Sequence, residues 1–202
     1  MNLDKLLKAK SVAVVGASEK SGFGGDTCRN ILEYKKDLSR VYFVNPGRTQ
    51  VFQRPCYPRL ADVPDEIDLV IICTPRETVC GILKEASEKG CGGAVVFASG
   101  YSETGTEEGK KAEEELIRTG KELGIAILGP NCGGFNNYID DVIAFAFPVE
   151  KRERKGHVGF LSQSGQFCIN FMDSRDIRFS YAISVGNGKA VMLEDYLDYL
   201  ID

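Results

Sequence analysis

The sequence predicts an α/β protein built on a parallel sheet covered on both faces, and three observations carry the prediction. Short runs rich in Val, Ile, Leu and Ala (residues 12–15, 41–44, 69–73, 94–98 and 125–128) alternate with longer amphipathic stretches, as in successive β-α-β units. The first run is followed at once by a glycine-rich loop and then a helical pattern, S-V-A-V-V-G-A-S-E-K-S-G-F-G-G from Ser11 to Gly25. The loops after the runs are polar, and in open parallel sheets such loops gather at the carboxyl edge, where ligands bind.

Val12 to Val15 is too short for a helix and reads as a buried strand. Gly16 ends it, and Ser18, Ser21, Gly22, Gly24 and Gly25 form a loop with little side-chain bulk. A helix over residues 26–36 follows, with Ile31 and Leu32 on its buried side. Free backbone N–H groups and the helix dipole then face one point, which suits an anionic ligand. Glycine permits the close backbone approach that a phosphate requires. The same glycines also suit plain turns. The spacing from Gly16 to Gly22 is wider than the G-x-G-x-x-G of dinucleotide-binding units.

The second strand ends in Asn45-Pro46-Gly47-Arg48, where an NAD site would place an acid on the ribose. Arg48 suits an extra phosphate on the nucleotide, which coenzyme A and NADP both carry. Residues 51–64 form a proline-punctuated connection with at most a short strand. The third strand runs into Thr74-Pro75-Arg76-Glu77, read as an N-cap, a first helical position and a capping box. Its helix carries Val79, Ile82, Leu83 and Ala86, and Gly90 ends it.

The strand at 94–98 leads to the loop from Ser99 to Gly105. A helix over 106–123 has Glu107 and Glu108 in its first turn and Gly124 beyond its end. The charge run from Glu107 to Glu115 reads as its solvated face. After the strand at 125–128 the first sheet finishes within residues 129–134, a strand spans 142–147, and residues 150–155 form a charged linker. A second unit follows: strand 157–161, turn Ser162-Gln163-Ser164-Gly165, helix 166–173, strand 180–185, loop Gly186-Asn187-Gly188 and helix 192–201. About 50 residues make a marginal core alone, so this unit reads as cut short.

The 202 residues carry a net charge of −4, which gives no reason to expect nucleic-acid or membrane-surface binding. The N-terminus lacks a signal-peptide core, and no apolar run approaches the ~20 residues of a membrane span. Seven cysteines without C-x-x-C spacing, beside one histidine, argue against a zinc site. They read as reduced thiols in a cytoplasmic protein, most of them core fillers.

In chain order, G-A-S with its glycine loop, V-N-P, D-L-V-I-I-C-T-P, S-G-Y-S-E-T-G, L-G-P-N-C-G-G, L-S-Q-S-G and S-V-G-N resemble one family. It is the α-subunit side of the nucleoside-diphosphate-forming acyl-CoA synthetases, which include ADP-forming acetyl-CoA synthetase and succinyl-CoA synthetase. The resemblance implies a Rossmann-like CoA-binding domain over 1–133. An incomplete flavodoxin-like, succinyl-CoA-synthetase-like α/β domain would follow over 134–202. It implies CoA contacts on Ser18, Glu19, Lys20 and Ser21, on Arg48, and on Phe97, Ala98 and Ser99. Gly16, Gly22, Asn45, Pro46, Thr74 and Pro75 join them as residues of the converging loops. Phe97 and Ala98 would contribute backbone, since their side chains read as core.

The resemblance assigns Ser162, Ser164 and Gly165 to a turn that cradles the phosphate of a phosphohistidine. Ser164 also reads as a plain N-cap. The implied reaction is acyl-CoA + ADP + phosphate ⇌ acid + CoA + ATP, with ATP, ADP and Mg held by a nucleotide-grasp domain or β subunit. The family's histidine segment has no match here. His157 begins a strand and lies some 15 Å from the turn at ~3.3 Å per residue. The isolated chain is therefore expected to be inactive, a fragment or a subunit that needs the rest elsewhere. A non-catalytic CoA- or acyl-CoA-binding module is the alternative. An NADP oxidoreductase is disfavoured, because only Tyr or Cys could move a proton near the sheet edge.

Overall fold

Alternation along the strands of the first sheet divides their side chains between two apolar layers. Val12 and Val14 of β1 (Val12–Val15) belong to one, and Ala13 and Val15 to the other. The same split runs through β2 (Val41–Val44), β5 (Leu69–Ile72) and β7 (Ala126–Leu128), as the two-residue period of a strand requires. With β3 (Gln50–Val51), β4 (Arg54–Tyr57) and β6 (Gly93–Val96) these form a seven-stranded sheet in the order β3-β4-β2-β1-β5-β6-β7. All pairs are parallel except β3 with β4. The computed structural model describes residues 3–149, 155–174 and 176–201.

One face is covered by α3 (Arg76–Glu88) and α4 (Glu107–Leu123) through Val79, Leu83, Ala86 and Leu116. The other receives α1 (Asp4–Leu7) and α2 (Phe23–Tyr34). It also takes Phe135, Ala144, Tyr181 and Ile183 of a second sheet, so the two sheets share one core. That sheet runs β10 (Val158–Ser162), β11 (Phe179–Ser184), β8 (Gly134–Asn137), β9 (Val142–Phe145). β10 and β11 are parallel, and the β8–β9 hairpin joins them antiparallel. α5 (Gly165–Met172) and α6 (Leu193–Ile201) complete it.

Polar side chains join the halves. Asn30 of α2 donates to the Phe145 and Phe147 carbonyls at 3.1 and 2.7 Å and accepts from the Val149 N–H at 3.2 Å. Asn137 donates to the Leu7 carbonyl at 2.8 Å. The marginal core expected of the second unit is thus enlarged by α1 and α2.

Several expected elements are corrected. α2 begins at Phe23, so Gly24 and Gly25 lie in its first turn instead of the loop. Pro75, not Thr74, holds the cap position of α3 without a side-chain cap bond. The Thr74 hydroxyl pairs with Thr78 at 2.7 Å, and the capping box does not form. The proline-rich connection holds two short strands and a 3-10 turn at Leu60–Asp62. β8 was not expected, because Gly and Asn disfavour strands. The charged linker lies outside the described residues except for Lys155, which pairs with Asp141 at 3.8 Å.

The solvated face of α4 has one exception. Glu113 is buried. All seven cysteines are free thiols, five of them buried. Burial pushes the Cys28, Cys132 and Cys168 thiols up to about 12, as core fillers require. No helix among the described residues is long and apolar enough to cross a membrane.

Candidate functional site

The strand order reverses between β1 and β5, and Gly16 sits in the resulting crevice. Its φ is 87°, and a Cβ there would lie 2.9 Å from the Thr74 methyl and 3.0 Å from the Cys73 carbonyl oxygen. Only glycine lets the first loop leave β1 this close to the end of β5. The Ala17 N–H then reaches the Val44 carbonyl at 3.2 Å, and the Asn45 amide holds the Ala17 carbonyl at 2.8 Å. Asn45 also accepts from the Gly47 N–H at 2.9 Å, fixing the turn through Pro46 that carries Arg48.

Two of the expected contact side chains build the loop itself. The Ser18 hydroxyl accepts from the Lys20 N–H at 3.0 Å, and the Glu19 carboxylate accepts from the Phe52 N–H at 2.6 Å. Arg29 donates to the Glu19 carbonyl and pairs with Asp26 at 2.6 Å. Asp26 in turn accepts from the Gly22 N–H at 3.2 Å, so its buried charge is compensated before any anion arrives. Lys20 and Ser21 stay exposed. Arg48 is half-buried and makes no ion pair among the described residues. The first-turn N–H groups of Phe23, Gly24 and Gly25 have no partner within the helix and open beside them.

Beside this loop a cavity of about 650 Å³ lies over the ends of β5 and β6. Thr74, Pro75, Ala98, Ser99, Gly100 and Phe23 line it. The Phe97 and Ala98 side chains are buried, which leaves their backbone for contact, while Ser99 is exposed. Arg76 closes one end, bound to the Gly100 carbonyl and paired with Glu108 at 2.6 Å. Behind Arg76 lies a second cavity of about 330 Å³ between α3 and α4. Burial raises the Cys73 thiol and the Tyr101 phenol well above their ordinary values, so both stay protonated and neither is available as a base at neutral pH.

The Ser162–Gly165 turn lies beyond Gly133. The Ser164 side chain caps α5, accepting from the Phe167 N–H at 3.2 Å, and the Ser162 hydroxyl accepts from the Ser164 N–H at 3.1 Å. Both hydroxyls therefore shape the turn, and the Gly165 and Gln166 N–H groups remain as donors. A Cβ on Gly133 would lie 3.3 Å from the Gly165 Cα, so the turn touches the segment that joins the sheets. His157 is exposed and precedes β10, at the end of the strand away from the turn.

Asn187 was missed as a site residue. Its amide donates to Glu103 and to buried Glu113, each at 2.7 Å, and its N–H reaches the Pro130 carbonyl at 3.0 Å. Glu103 itself accepts from the Gly100 and Tyr101 N–H groups at the cavity rim. Burial acts to raise the Glu103 pKa, but these bonds, led by that from Asn187, outweigh it and hold the carboxyl below its ordinary value. A polar residue between two glycines was the available signal. Phe23 and Arg76 were also missed, since their partners are distant in sequence.

The carboxyl edge of the first sheet thus gathers Lys20, Arg48 and helix N–H groups beside a cavity over the ends of β5 and β6, and the Ser162–Gly165 turn touches Gly133. Residues 10–138 match the family model described as CoA binding domain. The chain belongs to the CoA-binding domain family. Past that domain, residues 155–202 match the succinyl-CoA ligase like flavodoxin domain.

Over 206 residues the chain is 36% identical to a prokaryotic trans-feruloyl-CoA synthase, covering 99% of this chain and 29% of that one. It is 37% identical to the α subunit of Pyrococcus furiosus acetate–CoA ligase (ADP-forming) II, over 99% of this chain and 43% of the subunit. Acetyl-coenzyme A synthetase 1 of Ca. Korarchaeum cryptofilum, solved with phosphate and ADP, superposes with a TM-score of 0.90 at 34% identity. That match covers 98% of this chain and 42% of the solved one. The chain thus spans less than half the length of these relatives. The family and the fold class read from the motifs are borne out.

Proposed function

We propose that this chain is the CoA-binding portion of an ADP-forming acyl-CoA synthetase, an acid–thiol ligase. One observation carries the reading: the glycine-framed start of α2 and Arg48, which makes no ion pair among the described residues, stand at the same sheet edge as the cavity lined by Phe23, Thr74 and Ser99. Arg48 would hold the ribose 3′-phosphate, and Lys20, Ser21 and the α2 N–H groups the diphosphate. The pantetheine arm would pass Thr74, Pro75 and the backbone of Phe97 to Ser99, bringing the thiol toward Gly165. The turn that Ser162 and Ser164 shape would present the Gly165 and Gln166 N–H groups to a phosphoryl group. Bound CoA would supply the thiol that accepts the acyl group.

The reading divides the chain at residue 133, where the first sheet gives way to the second. The partner is an ATP-grasp domain or β subunit that brings ADP, ATP and Mg, as the relatives' lengths suggest. The location is the cytoplasm, in keeping with seven free thiols. An oxidoreductase is disfavoured by the raised Cys73 and Tyr101 pKa values.

Calorimetric titration with CoA, dephospho-CoA and NAD tests the reading. CoA should bind tightest, and Arg48→Ala should weaken CoA by about 2 kcal/mol, roughly thirtyfold, while leaving dephospho-CoA unchanged. Equal affinity for CoA and dephospho-CoA would remove Arg48 from its role, and preference for NAD would overturn the function.

A further inference from the structure

Ser99 is an exposed residue between buried Ala98 and half-buried Gly100, and all three line the cavity of about 650 Å³. The two peptide bonds that flank Ser99 are trans, and each is held by a distant residue. The Ala98 carbonyl accepts from the Asn131 N–H at 2.9 Å. The Gly100 N–H donates to the Glu103 carboxylate, which also accepts from the Tyr101 N–H at 3.1 Å. In a trans peptide the N–H and the C=O point in opposite directions. The Ser99 N–H and C=O are therefore turned away from Asn131 and Glu103, and neither has a partner among the described residues. Ser99 thus offers a donor and an acceptor on one side of the chain, as a strand residue does to a neighbouring strand. The secondary amides of a pantetheine arm carry the matching acceptor and donor.

Asn187 ties these two holds together. Its side-chain carbonyl accepts from the Asn131 amide at 3.3 Å, and its own amide donates to Glu103 and to buried Glu113, each at 2.7 Å. The Asn187 N–H is fixed to the Pro130 carbonyl at 3.0 Å. Gly186, with φ of 62°, permits this approach, since a Cβ there would lie 2.4 Å from the Pro130 and Asn131 carbonyl oxygens. Two residues before Asn187, the Val185 N–H donates to the Ser162 carbonyl at 2.8 Å, so the same segment also holds the Ser162–Gly165 turn. We propose that Asn187 is a positioning residue of the CoA site. Through Asn131 and Glu103 it fixes the peptide bonds on both sides of Ser99, so that the Ser99 backbone meets the amides of the pantetheine arm. A residue that follows the second sheet thereby sets the lining of the first sheet's cavity. The inference rests on the CoA-binding reading above.

The test is calorimetric titration of the whole chain with CoA and with adenosine 3′,5′-bisphosphate, which lacks the pantetheine arm. Wild type is compared with Asn187→Ala, Glu103→Ala and a triple variant that joins Glu103→Gln, Asn187→Asp and Glu113→Gln. The triple variant reverses the network: one carboxylate accepts from two amides, and the Gly100 N–H keeps an acceptor. The readout is the ratio of the two affinities within each protein, while the bound stoichiometry reports the folded fraction. Each alanine variant should weaken CoA about tenfold, the scale of one lost hydrogen bond, and leave the bisphosphate unchanged. The triple variant should recover most of the wild-type ratio. A ratio unchanged in both alanine variants, or an equal loss for both ligands, overturns the positioning role and leaves CoA binding standing. A folded triple variant that keeps the weakened ratio overturns it as well. Absence of CoA binding in wild type overturns both the role and the CoA-binding reading.

Discussion

Gly25→Ala is expected to destabilise the protein by about 2 kcal/mol, although it replaces a helical glycine by the best helix former. Helix propensity alone favours alanine by about 1 kcal/mol. Against it, a Cβ on Gly25 would lie closer than 3.0 Å to both the carbonyl carbon and oxygen of Lys20. That carbonyl is backbone, in a loop pinned by the Glu19–Phe52 and Arg29–Glu19 bonds, so it cannot swing aside as a side chain would. Overpacking of this kind costs about 1–3 kcal/mol and occasionally more, which exceeds the propensity gain. The thermal midpoint should fall by roughly 4–8 °C for a chain of this size. Gly81→Ala is the control: Gly81 is also helical, and its Cβ would meet nothing within 4 Å. That variant should gain up to about 1 kcal/mol. A stabilised Gly25→Ala would mean that the first loop yields freely.

The second large effect is expected at the joint between the sheets. In the native protein one amide places a hydrogen on each of two carboxylates, Glu103 and buried Glu113. Asn187→Asp keeps the shape and replaces that donor by a third carboxylate. Three like charges at hydrogen-bonding distance, one of them buried, should cost about 2 kcal/mol or more at neutral pH. The pH dependence has a definite sign. Crowded carboxylates have folded-state pKa values raised above the unfolded ones, so the folded variant binds more protons, and its stability should rise as pH falls through the carboxylate range. In the wild type Glu103 behaves the opposite way. Its depressed pKa contributes stability above the ordinary carboxylate range, lost as pH falls through the folded value. Denaturant midpoints of both proteins from pH 7 to pH 4 would check this. A constant gap between the curves would place the effect elsewhere than in the charges.

The strands β1, β2, β5, β6 and β7 of the first sheet were legible because each is apolar on both faces, a composition that short helices and loops rarely have, whereas β3 and β4 carry Gln50, Arg54 and Pro55 and read as a connection. The glycine loop, Arg48 and the Thr74 and Ser99 positions were legible because polar residues follow each strand directly. The start of α2 was not. Gly24 and Gly25 are poor helix formers, and the reason they are helical, close contact with the Gly16 and Lys20 carbonyls, is tertiary. β8 escaped for a similar reason, since Asn136 and Asn137 are fully buried only because β9, β11 and α1 surround them. Glu113 hid within a run of charges, and its partner Asn187 lies 74 residues away. Phe23 reads as loop in the sequence, and only its rings of contact, Phe97 and Phe147, show that it has a held side and a bare one.

The central claim is that CoA lies along the crevice from Arg48 through the start of α2 into the cavity over β5 and β6. Amide hydrogen exchange of the chain with and without saturating CoA measures this most directly. Slowed exchange should appear in residues 18–25, 45–48, 74–76 and 97–100, with strands β3 and β4 unchanged. Protection confined to residues 158–201, or no protection at saturation, would contradict it.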